Sequence, residues 1–268
     1  MRALFLCLLL LFPCFTFGGL RRFYFAPDFY YYWFKEKPSA ISKAKENGFL
    51  VRYQLGYDST APFCLYYGLQ ISRVKARVRH VNDLLALKTS TDNSVTNYEG
   101  RVGMCLALFP RFYFTPLFAL GYRDWTRITE DTEDSKYSYA CTYKGYGVRM
   151  LYRARSWLDL GLYFKILQPM HVDLKVERLG EISLYAIGLS YLHGKWPKLK
   201  LKNKLQYEIE LPIYFKAPSF QLIDIALVPY FKDLAMGKST SKSQTGGTLY
   251  AGSSAAEVGL RLEIGINL

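Results

Sequence analysis

Glu257-Val258-Gly259-Leu260-Arg261-Leu262-Glu263-Ile264-Gly265-Ile266-Asn267-Leu268 decides how the rest of the chain is read. Val258, Leu260, Leu262, Ile264, Ile266 and Leu268 form one row, and Glu257, Gly259, Arg261, Glu263, Gly265 and Asn267 form the other. A strand turns successive side chains to opposite faces, so this is a strand with one unbroken apolar side. Its second side carries charge and glycine, which suits a crowded polar interior.

The same two rows recur upstream. Phe49, Val51, Tyr53, Leu55 and Tyr57 alternate with Leu50, Arg52, Gln54 and Gly56. Phe63, Leu65, Tyr67, Leu69 and Ile71 face outward; the phase then slips, leaving Val74, Ala76 and Val78 apolar, so a bulge near Ser72 is expected. Asn82 to Asn97 reads as a mostly polar loop. Strands follow from Tyr98 to Leu108, from Phe112 to Arg123 and from Tyr137 to Arg153, the last irregular around Gly145 and Gly147. Trp157 to Glu177 reads as one strand in one phase, long enough to project beyond a bilayer. Ile182 to Leu192 follows; then Leu199 to Phe215 with Leu199, Leu201, Leu205, Tyr207, Ile209 and Leu211 on one face; then Ile223 to Lys232. Gly237 to Ser254, rich in Ser, Thr, Gly and Lys, reads as a long loop. Gly19 to Asn47 is open between an extra strand with its loop and a segment at the mouth of the fold.

Long, almost charge-free apolar rows on consecutive strands match a lipid-facing band of ~9–11 residues per strand. A soluble sandwich, the competing fold, would bury the opposite rows, and charge at that density in a dry core is costly. The terminal strand resembles that of bacterial outer-membrane β-barrels, in which alternate apolar residues finish on a hydrophobe read by the barrel-assembly machinery. That residue is usually Phe; here it is Leu268. The resemblance implies an all-β fold: a single antiparallel transmembrane β-barrel of about ten strands, within a range of eight to twelve. It makes Leu260, Leu262, Ile264, Ile266 and Leu268 the expected assembly signal.

The 268 residues suffice for one such barrel, and 23 Tyr with 18 Phe suit its interfacial girdles. Residues 1–18 read as an export signal, with Arg2, an apolar core from Leu4 to Phe12, and small residues Thr16 and Gly18 before the expected cleavage. Residues 19–47 are then an aromatic and polar segment, and 48–268 the barrel. The expected location is the outer membrane. Three cysteines remain after cleavage, Cys64, Cys105 and Cys141, so at least one thiol stays outside any internal disulfide.

The net charge of +13 suggests an anionic surface or solute. No nucleic-acid motif is visible, and no cofactor or metal is expected. Inward charges are expected at Arg101, Arg123, Asp159, Lys165, Glu208, Glu210, Asp224, Arg261 and Glu263, pairing across a narrow lumen or lining an anion-biased pore. Two basic ladders, Arg73, Lys75, Arg77, Arg79 and Lys198, Lys200, Lys202, Lys204, are candidates for lipopolysaccharide phosphates or an anionic solute. The alternative function is a membrane-embedded hydrolase of lipid or peptide. His171 and Asp173 share a face as an acid-base pair would, but in the reverse order to outer-membrane proteases, and no catalytic residue is assigned.

Overall fold

The computed structural model describes residues 20–36, 44–60, 65–82, 87–129, 135–177, 199–216, 222–239 and 252–268. They form one closed antiparallel barrel of ten staves. Its strands are β1 (Leu20–Glu36), β2 (Ala44–Thr60), β3 (Leu65–Asn82), β4 (Leu87–Met104), the short β5 (Leu106–Phe109) and β6 (Phe112–Thr129). They continue as β7 (Ser135–Arg155), β8 (Leu158–Glu177), β9 (Leu199–Lys200), β10 (Gln206–Glu210), β11 (Ile213–Lys216), β12 (Ile223–Asp233) and β13 (Ser253–Asn267). β9, β10 and β11 share one stave between β8 and β12, and β5 continues the β4 stave. β13 closes the cylinder on β1, with Phe25 opposite Ile264 and Phe29 opposite Leu260.

The first stave is the segment that sequence left open. Arg22, Tyr24, Ala26, Asp28, Tyr30, Tyr32, Phe34 and Glu36 point inward, while Phe23, Phe25, Phe29 and Trp33 are exposed outside. The barrel therefore begins at Leu20 and not at residue 48. Ile182 to Leu192, expected as a strand, lies outside the described residues. The ladder closes without it, because β8 pairs directly with β9, β10 and β11. At the end holding Leu20 and Asn267 the connections run through residues 61–64, 110–111, 156–157 and 217–222; at the other end the two longest run through 178–198 and 234–252.

Two inward tyrosines rest on glycines of the neighbouring strand, Tyr24 on Gly56 and Tyr143 on Gly121. A Cβ built on Gly56 would stand 2.1 Å from Tyr24 Cζ, and one on Gly121 2.2 Å from Tyr143 Cζ. The rings lie across the bore wall only because those positions lack side chains.

Two storeys divide the barrel. In the storey near the termini the outer face is apolar and the inner face charged. Beyond it both faces invert. Tyr30, Tyr32, Phe34, Leu50, Val74, Val78, Trp125, Tyr139, Val172, Leu174, Leu199 and Leu201 pack together inside. Outside them stand Arg73, Lys75, Arg77, Arg79, Asp92, Lys200 and Lys202, all exposed. A segment that leaves lipid for water needs this inversion: its outside becomes polar, so its core becomes the apolar side.

Several expectations are corrected along these strands. β3 has no bulge at Ser72; its register with β4 runs unbroken from Leu65 opposite Met104 to Asn82 opposite Leu87. The phase slip in its sequence marks the change of surroundings on a regular strand. Conversely, β8 keeps its sequence phase but its faces flip: the register against β7 shifts between Thr142 and Tyr143, so Tyr163, Lys165 and Leu167 point in, and beyond the shift Val172 and Leu174 do. The neighbouring stave flips too. Leu199 and Leu201 are buried while Leu205, Tyr207, Ile209 and Leu211 are exposed, with the strand interrupted between β9 and β10. Finally, most of Asn82–Asn97 is the ladder of β4 and not a loop, and Ser253 and Ser254 begin β13. Long strands thus carry the barrel beyond its apolar outer band, and β8 runs unbroken from Leu158 to Glu177.

Candidate functional site

The inward charges of the apolar-walled storey are strung into one chain of alternating sign. Arg22 on β1 holds Asp224 on β12 at 2.8 Å and Glu263 on β13 at 2.7 Å. Arg261 holds Glu263 at 2.9 Å and donates both guanidinium ends to Glu210 on β10, at 2.8 and 2.7 Å. Lys232 lies 4.0 Å from Glu210 and bridges to Glu208. Lys165 on β8 then sits between Glu208 at 2.9 Å and Glu99 on β4 at 2.7 Å. Arg101 follows, 3.9 Å from Glu99 and 3.6 Å from Asp58 on β2. The chain joins strands on opposite walls, and most members have less than a tenth of their surface exposed. Charges taken from water are tolerable only when matched in this way.

Above it a second group crosses the bore. Arg52 reaches Asp28 at 3.0 Å, Glu257 and the Tyr230 hydroxyl, and Gln54 donates to the same Asp28. A third lies among the apolar side chains towards the far end. Arg127 donates to Glu36 at 3.1 Å and to Glu46, and the His80 ring lies 3.1 Å from Glu46. The outward neighbours at this level, Lys45, Asn47 and Arg79, are exposed and polar, so Glu46 stands beyond the apolar band. Burial pushes its carboxyl up; Arg127 and the hydrogen bonds from His80 and Arg127 outweigh that and hold it at about 2.

Between the first two groups and the apolar storey lies a chamber bordered by Arg52, Asn97, Glu99, Arg123, Trp125 and Lys165, among others. About 40 Å³ of it is open to water centres, room for about three waters. This bore is packed by its own side chains.

All nine lumen charges expected from sequence point inward. Asp159 pairs with Lys216 near the terminus end, and Arg123 borders the chamber. Sequence had also placed Arg52 and Gln54 on an alternating inner row without singling them out. It missed Arg22, Asp28 and Glu36 because β1 was unread, and Arg127 because β6 runs on to Thr129. Both basic ladders face outward; Lys198 lies outside the described residues. His171 is exposed on the outer face, away from the bore. Cys105 and Cys141 are free thiols, and Cys64 lies outside the described residues. The outward row of β13 is Val258, Leu260, Ile264, Ile266 and Leu268, with Leu262 half-buried among them.

No protein-family model matches this chain, and no curated protein does. Solved structures do. The outer-membrane protease OmpT of Escherichia coli superposes with a TM-score of 0.64 over 94% of this chain and 97% of its own, at 7% identity. The fold is that of an outer-membrane barrel. The translocator domain of the autotransporter NalP from Neisseria meningitidis reaches a TM-score of 0.47 at 8% identity, over 93% of this chain and 88% of its own. A deletion mutant of the monoaromatic hydrocarbon channel TodX reaches 0.45 at 9%, over 92% and 90%. Such identities speak to fold alone. What the bore does must come from its own residues.

Proposed function

We propose that this chain is an integral outer-membrane barrel whose bore is shut by its own side chains: a structural and surface-binding protein that does not conduct. The single supporting observation is the run of alternating charges from Asp224 to Asp58, which ties wall to wall beneath an apolar storey. An ion entering would have to break buried pairs and then cross packed aromatic side chains. The anion bias expected from net charge has no support inside. Among the described residues, ten buried Asp and Glu face six buried Lys and Arg, so the positive excess lies elsewhere in the chain. Purified protein in planar bilayers is expected to give no stepwise current; steady anion-selective steps would overturn the reading.

The outer surface supports a binding role. Arg73, Lys75 and Arg79 are exposed on β3 beside aromatic residues of β2, with Tyr53 opposite Arg73. Strands tilted by ~35–45° make the lipid boundary cross neighbouring strands at different residues. Hence β1 stays apolar outside as far as Trp33 while β3 turns basic at Arg73. With its longest connections extracellular, this stripe meets the headgroups of the outer leaflet, and the phosphates of lipopolysaccharide are its ligand. Barrel-assembly machinery is the partner for the outward row of β13. Charge reversal at Arg73, Lys75 and Arg79 together should weaken retention on lipopolysaccharide-bearing vesicles; unchanged, salt-insensitive retention would refute this role.

A further inference from the structure

The end of the barrel that holds Leu20 and Asn267 sorts its charges by sign. Its side-chain carboxylates, Asp58, Asp159, Asp224 and Glu263, point into the bore, where Arg101, Lys216 and Arg22 hold them. Among the described residues no Asp or Glu side chain faces outward there. Arg111, in the turn between β5 and β6, and Arg155, which ends β7 at the next turn, are both exposed. The Arg153 amide donates to the Arg111 carbonyl at 2.8 Å, which ties the two turns side by side. Neither Arg111 nor Arg155 forms an ion pair among the described residues.

A bulge turns Arg155 towards lipid. On alternation alone it would continue the inner row of Arg149, Leu151 and Arg153. The register with β8 shifts between Arg153, opposite the inward Asp159, and Arg155, opposite Leu158. Leu158 is opposite Phe215, and Phe215 is opposite Ile225, both exposed on the outer wall. The extra residue, Ala154, therefore delivers Arg155 to the outer row, as bulges at strand ends re-aim single side chains. There it lies between Tyr152 and Trp157, both exposed, with Phe112 opposite Tyr152 on β6. Such an aromatic girdle marks the boundary between acyl chains and headgroups. An arginine facing outward within it holds its guanidinium at headgroup depth, where a phosphate takes two N–H donors at once.

We infer that this corner binds an anionic glycerophospholipid of the phosphatidylglycerol class, its phosphate on Arg155 and Arg111 and its acyl chains along Tyr152 and Leu160. Zwitterionic headgroups carry the same phosphate but add an ammonium, and the outer face offers that ammonium no carboxylate here. The ligand is therefore selected by net charge. The corner is at the opposite end of the barrel from the basic stripe of β3. With the longest connections extracellular, as taken above, it lies in the periplasmic leaflet; the lipid preference itself does not depend on that sidedness.

The test is quenching of Trp157 by brominated lipid. The folded barrel is placed in phosphatidylcholine vesicles holding a minor share of dibrominated phosphatidylglycerol or dibrominated phosphatidylcholine. The emission of Trp157 is taken as the difference from the Trp157→Phe protein, so lipid gathered at the β3 stripe does not enter the readout. Brominated phosphatidylglycerol is expected to associate at least about fivefold more strongly, the contribution of one cationic side chain near a membrane surface. Arg111→Gln with Arg155→Gln should make the two lipids equal. If that protein fails to fold, Arg155→Gln alone serves, and it should remove most of the preference. Equal quenching by both lipids in the unsubstituted protein, or an undiminished preference in the arginine variants, would overturn the assignment. So would a preference abolished by inorganic phosphate but not by chloride of matched ionic strength, which would give the corner to a free anion.

Discussion

Replacing Lys165 by Met tests whether the bore is held by matched charge. Lys165 is 2% exposed and lies 2.7 Å from Glu99 and 2.9 Å from Glu208. Met keeps most of the volume and removes the cation. Stripping one partner from a buried pair typically costs ~3–5 kcal/mol, because the other charge stays buried and unmatched. Here the remaining neighbours soften the loss. Glu208 keeps Lys232, and Glu99 keeps the Tyr143 hydroxyl at 3.0 Å and Arg101 at 3.9 Å. The expected loss is therefore at the lower end, about 3 kcal/mol. Adding Glu99→Gln to Lys165→Met should recover roughly half of it, because the stranded carboxylate is gone. Urea unfolding in lipid vesicles, followed by tryptophan fluorescence, measures both. A loss under about 1 kcal/mol, or no recovery in the double variant, would refute the view that these pairs brace the wall.

Glu46 gives a pH test. Its carboxyl is held at about 2 against an ordinary 4.5. A depressed folded value contributes stability that is fully present above the unfolded value and lost as pH falls through the folded one. The barrel should lose about 3 kcal/mol between about pH 4.5 and pH 2 through this group, and Glu46→Gln should flatten that part of the profile. An acid-unfolding curve that is the same with and without Glu46 would sink the argument. At Gly121, Val would push the Tyr143 ring away and break its hydroxyl hydrogen bonds to Asn97 and Glu99, both 3.0 Å; a cost of about 1–3 kcal/mol is expected, read by the same unfolding assay. An unchanged midpoint there would mean the ring finds another seat.

Much of the cylinder was legible because lipid-facing rows are long and nearly uncharged. β2 from Phe49, β6 as far as Arg123, β12, and β13 from Glu257 could be read residue by residue, inner row against outer. What was not legible shares one physical cause. Alternation reports polarity, and polarity reports a face only when the surroundings stay constant. Where β3 leaves the membrane, the apolar side moves from lipid to core, so a regular strand looks slipped. In β8 and across β9 and β10, a real shift in the wall coincides with that same change, so the two cancel and the sequence looks regular. β1 was obscured by its density of aromatic residues, which fill both its faces. The partners of each inward charge were beyond sequence, since they depend on which strands oppose each other across the bore.

That cause also explains how a strongly basic chain can hold an interior with more buried acid than base. Positive charge outside the lipid band is solvated and free to meet anionic headgroups, so nothing there requires a match. Inside, the buried charges have been taken from water, and most of them are answered by an opposite one within 4.0 Å. Charge composition summed over the whole chain therefore describes the outer surface, and reveals nothing of what the bore would admit.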